Sequence, residues 1–143
     1  MKHPIPSLVL AATISGGCGL LEANDISFNK HIRPILADRC FSCHGPDSAT
    51  RKANLRLDLE ENAKTALSSG VTAIVPGKPE ESEVMQRLTH RDPDEVMPPR
   101  TSKLTVSPDE IAQIRKWIAQ GAKWERHWAF LPPESIPPPP MAD

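Results

Sequence analysis

The sequence predicts a small all-α domain, with a few short helices wrapped around a bound group. Three observations lead there. Apolar residues recur at helical spacing, most clearly at Ile111, Ile114, Trp117 and Ile118. The one alternating stretch, Leu55 to Leu59, is short and lacks a partner strand. Finally, the 143 residues include no Tyr and only three each of Phe and Trp, so the large-residue core is thin. Something other than side chains must supply part of the apolar volume.

The five residues Cys40-Phe41-Ser42-Cys43-His44 say what that group is. Two cysteines three apart, followed at once by histidine, form the attachment signature of a c-type haem. Each thiol adds to one vinyl group of the porphyrin, giving two thioether bonds across one helical turn. His44 then offers a neutral imidazole nitrogen to the iron. A zinc site would need two further ligands, but Cys18 is far upstream and His90 and His127 are isolated. A thioredoxin-like pair would need a preceding apolar strand, whereas Phe28 to Arg39 reads as a broken amphipathic helix. A disulfide across so short a loop would restrain little chain entropy.

In order along the chain, residues 1–19 read as an export signal. Lys2 supplies the positive end, and Leu8 to Ile14 form an apolar stretch too short to span a bilayer. Ser15-Gly16-Gly17-Cys18 resembles a lipoprotein cleavage site, making Cys18 a candidate for lipidation, although cleavage after Ala23 would remove it. The expected location is the periplasm, with membrane association through a lipid on Cys18. Residues 20–25 form a tether, and 26–126 form the domain.

Within the domain, Ser27 or Asn29 caps a first turn, and Pro34 starts a helix that runs into Cys40. Gly45-Pro46-Asp47 ends the motif segment. Leu55 to Leu59 is expected as an extended wall beside the haem, followed by a helical turn over 60–67 that Ser69-Gly70 stops. A helix is expected over 80–88, with Val84, Met85 and Leu88 on its apolar face. A loop over 90–102 centres on Met97-Pro98-Pro99. The last helix has Ser107 as N-cap, Pro108 at its first position, Glu110 completing a capping box and Gly121 as its stop. Trp117 is expected to pack against Phe28. Residues 127–143 are a proline-rich linker or tail.

Met97 is the expected distal iron ligand, because its loop presents sulfur next to two prolines. Met85 belongs to a helix face and reads as core. His31 and His90 are the rival ligands, and Arg51, Arg56 and Arg100 are candidates for pairing with the haem propionates. No nucleophile–base pair or paired carboxylates mark a separate catalytic site, so the chemistry expected is one-electron transfer. An open sixth position would instead make a gas-binding or peroxidase-like domain, and a zinc or disulfide interaction module is the non-haem alternative. Seventeen Lys and Arg against 18 Asp and Glu leave no reason to expect nucleic acid as a partner. The expected partner is another redox protein, and the domain is taken as monomeric.

Together these landmarks resemble the planctomycete-type cytochrome c domain family, over roughly Ile26 to Phe130. The blocks are Phe28 with Ile32-Arg33-Pro34-Ile35-Leu36, Cys40 to Pro46, and Leu55-Arg56-Leu57-Asp58. Pro76 to Glu80 with Ser82, Met97-Pro98-Pro99, Trp117-Ile118 with Gly121-Ala122, and His127 to Phe130 follow in order. The chain departs from the family's paired glycines at Ala53-Asn54 and at Ser69-Gly70. The resemblance implies a class-I-like cytochrome c fold around one haem c. It also implies a module that usually opens a longer multidomain protein, so a truncated or gene-split member is expected here.

Overall fold

A computed structural model describes residues 25–126 together with Ala129. The expected export signal, Cys18 and nearly all of the tail lie outside the described residues. Within them the structure is helical: α1 spans Arg33–Arg39, α2 Phe41–His44, α3 Glu60–Lys64, α4 Glu83–Leu88 and α5 Pro108–Ala119. No strand occurs among the described residues, and one isolated antiparallel bridge joins Ala66 to Thr72.

The entry into α1 follows the sequence. Ser27 Oγ accepts the Lys30 N–H, and a π-helical turn over Phe28–Ile32 precedes the α-helix. Pro34 sits in the first turn of α1, where a missing N–H costs nothing. Helix α5 carries both halves of its capping box: Ser107 Oγ accepts the Glu110 N–H, and the Glu110 carboxylate accepts the Ser107 N–H. Gly121 follows at φ +97°, a conformation glycine adopts without strain.

Two helices are shorter than their periodicity suggests. The turn expected over 60–67 ends at Lys64, because the Ala66–Thr72 bridge and the Leu67 N–H bond to the Val71 carbonyl at 2.8 Å reverse the chain there. The helix expected over 80–88 is split into a 3₁₀ turn, Pro79–Glu81, and α4. Ser82 makes the break. It is fully buried, and its hydroxyl accepts the Val75 N–H and donates to the Lys78 carbonyl, both at 2.9 Å. Backbone carbonyls of Thr72 and Ala73 then accept the Glu83 and Val84 N–H groups.

The buried core joins the two ends of the domain. Phe28, Ile32, Ile35 and Leu36 meet Ile114, Trp117 and Ile118 of α5, with Ile74 and Met85 completing the cluster. The Phe28 and Trp117 ring centroids are 5.5 Å apart, the contact expected of the terminal helices. Trp124, beyond the end of α5, meets the Phe28 ring at 4.9 Å and the Trp117 ring edge-on at 4.6 Å. Burying large side chains on this scale stabilises the junction by about 1.5–3 kcal/mol each.

Candidate haem site

Helix α1 ends at Cys40, and α2 is the attachment motif itself, so Cys40, Cys43 and His44 lie on one short helical stretch. The Cys43 and His44 N–H groups both donate to the Cys40 carbonyl, at 3.1 and 2.8 Å. Gly45 follows because a Cβ there would stand 2.3 Å from the Phe41 carbonyl oxygen. The next segment is tied back to the motif: Lys52 N–H donates to the Cys43 carbonyl at 2.7 Å, and Leu57 N–H to the His44 carbonyl at 2.8 Å. Leu55 and Leu57 thereby become a wall of the site, as the alternating stretch suggested.

That wall belongs to a cavity of about 530 Å³. Cys40, Cys43 and His44 line it, together with apolar Leu55, Leu57, Leu67, Val71, Val84 and Leu88. Met97 and Pro98 line it too, joined by a cis peptide bond. The structure therefore places the four predicted haem-binding residues around one apolar space. Met85 is elsewhere, fully buried in the core. His31 is also used otherwise, its Nδ1 accepting the Ser27 N–H at 3.0 Å, and His90 lines a separate cavity.

The chemistry of the donors suits a haem. Both cysteines are free thiols. Burial pushes the Cys40 thiol from an ordinary 9.0 up to about 12, against a smaller opposing pull from the Arg39 charge. Burial also lowers the His44 pKa, so the neutral, iron-binding imidazole is favoured. The Lys52 backbone weakly opposes that shift but completes no hydrogen bond at Nδ1, which is buried and unpartnered. No group of three or more His, Cys, Asp or Glu placed to hold a metal ion occurs among the described residues.

The propionate candidates fare differently. Arg51 donates to the Gly45 and Pro46 carbonyls at 3.0 and 2.7 Å, and Arg56 forks onto Asp58. Arg100 lines the smaller, separate cavity. The cations that line the large cavity are Arg39, Lys52 and Arg87, none of which periodicity could single out. Arg39 has a buried, unpartnered Nε, and its Nη2 reaches Glu110 of α5 at 3.5 Å.

An all-α domain with a Cys-x-x-Cys-His helix facing an apolar cavity defines a c-type cytochrome class of protein. Residues 40–101 match the family model described as Planctomycete cytochrome C, so this stretch of the chain is similar to that family. That similarity supports a module that binds haem c covalently and transfers electrons. The match runs from the first motif cysteine through the methionine loop; the Phe28, Trp117 and His127 blocks lie beyond it. No curated protein and no solved structure matches the chain.

Proposed function

We propose that this domain holds one haem c and carries single electrons in the periplasm, as a module of a larger redox system. One observation carries the reading: a single apolar cavity is lined by Cys40, Cys43, His44 and the loop methionine. Cys40 and Cys43 would bind the porphyrin through thioethers, His44 would be the proximal ligand and Met97 the distal one. The haem supplies the one-electron couple, and the chain supplies what tunes it. Leu55, Leu57 and Leu88 would pack against the haem and keep the local dielectric low. Burial lowers the His44 pKa and so favours the neutral imidazole, and sulfur at the sixth position raises the reduction potential relative to a second histidine. Lipidation of Cys18 would tether the domain to a membrane.

The test is a spectrum of protein matured with a cytochrome c assembly system. A pyridine haemochrome of the two-thioether type at one haem per chain, with a sharp low-spin ferrous α-band, is the expected result. A high-spin spectrum would replace the electron carrier with an open-site haem protein, and the lack of a Soret band would end the haem reading. Intact-mass analysis of the mature N-terminus separates a diacylglyceryl Cys18 from ordinary cleavage.

A further inference from the structure

Met97 and Pro98 line the haem cavity on one side and, on the other, a second cavity of about 350 Å³ shared with Leu88, His90, Arg100 and Leu104. Side-chain packing therefore backs the loop only in part on that second side, and its position depends on tethers. Asp92 organises its start: its carbonyl accepts the Glu95 and Val96 N–H groups at 3.2 and 3.0 Å. Among the described residues, the hydrogen bonds that tie 95–97 to a helix all end on one residue, Arg87 of α4. Its carbonyl accepts the Met97 N–H at 3.0 Å. Its guanidinium Nη1 donates to the Glu95 carboxylate and, at 3.4 Å, to the Glu95 carbonyl. The same guanidinium is fixed from the other side, Nε donating to Glu83 Oε1 at 2.7 Å one helical turn back.

We infer that Arg87 is a positioning residue for the methionine loop: clamped between Glu83 and Glu95, it holds Met97 at the haem cavity and keeps outside ligands away from the sixth position. This rests on Met97 being the distal ligand. The planar fork matters, because a lysine ammonium cannot span two carboxylates with the same fixed geometry. Removing the cation does more than delete a tether. It leaves two carboxylates drawn to one point with nothing between them, which drives the loop outward.

The experiment uses the haem-loaded protein and reads two properties of the sixth position: the far-red ferric charge-transfer band and carbon monoxide binding to the ferrous form. Arg87→Met is expected to weaken the band and raise carbon monoxide affinity about tenfold, by enlarging the population with the loop displaced. Arg87→Lys should recover part of both, and Glu95→Gln should show an intermediate effect. Arg115→Met, which removes an ion pair to Glu80 and no bond to residues 95–97, should change neither. A lower melting temperature in Arg87→Met with the band and carbon monoxide affinity unchanged would mean a purely structural role and overturn the inference. If Arg87→Met does not fold, Arg87→Lys and Glu95→Gln decide it, and wild-type behaviour in both overturns it. Met97→Ala separates the two levels. Should it open the site while the Arg87 variants do not, only the positioning role falls. Should Met97→Ala itself leave both readouts unchanged, the ligand assignment falls and the clamp with it.

Discussion

The Glu125 carboxylate accepts the Phe28 backbone N–H at 2.9 Å, joining residues 97 positions apart. The same carboxylate accepts the Asn29 N–H at 3.1 Å and the Ser27 hydroxyl at 3.0 Å. A helical turn leaves its first N–H groups without partners, and here a side chain from the other end of the domain satisfies them. Phe28 is in turn stacked on Trp117 and Trp124, so this cap also fixes the aromatic junction.

Glu125→Ala should therefore lower stability by about 1–2 kcal/mol, the scale of a lost N-cap, with Glu125→Gln costing less. Chemical denaturation of the haem-loaded protein measures it. Equal stability of wild type and Glu125→Ala would show that water replaces the carboxylate at no cost.

Attachment is tested at the cysteines. The Cys40→Ala, Cys43→Ala double variant should release haem on a denaturing gel, where wild type retains the stain. Each single variant keeps one thiol and should keep the haem covalently bound. Stain persisting in the double variant would contradict the thioether assignment.

The two methionines should behave oppositely. Met97→Ala should abolish the far-red ferric band, lower the reduction potential and let carbon monoxide bind readily. Met85 is 1% exposed and packs in the core, so Met85→Ala should leave all three properties unchanged. It should instead destabilise the protein by about 2–5 kcal/mol through the cavity it leaves. Loss of the band in His31→Ala or His90→Ala, with Met97→Ala silent, would make the site bis-histidine.

Haem-free protein that keeps this fold should be sensitive to alkali. The Cys40 thiol ionises near 9.0 when unfolded and only near 12 in the buried site. The unfolded chain therefore sheds its proton first. The contribution of Cys40 is intact below pH 9 and is lost as pH rises toward 12. Denaturation midpoints across that range measure the slope, and Cys40→Ala should flatten it. Iodoacetamide should also modify Cys40 slowly at neutral pH until denaturant is added.

Local chemistry made much of this protein legible in its sequence. Cys40, Cys43 and His44 are adjacent in the chain, so one helical turn brings them together whatever the rest does. The Ser107 capping box and the stripe through Trp117 likewise depend on neighbours within four residues. Met97 could be singled out because the other three methionines lie in the leading segment, on a helix face and in the tail. What spacing could not convey was how polar groups are shared between distant segments. Ser82 breaks a periodic helix because a turn seven residues upstream uses its hydroxyl. Arg51 and Arg56 have the charge to meet propionates, yet nearby carbonyls and Asp58 occupy them. Trp124 and Glu125 follow the end of α5, where no periodicity marks a residue as core or cap. The sequence by itself determined the Cys40-to-His44 motif, the start of α1 and the bounds of α5, because all arise from residues close in the chain. The tertiary structure alone decided which charges remain at the cavity and that Arg87 anchors the methionine loop, because hydrogen bonds between distant segments exist only once the chain has closed on itself.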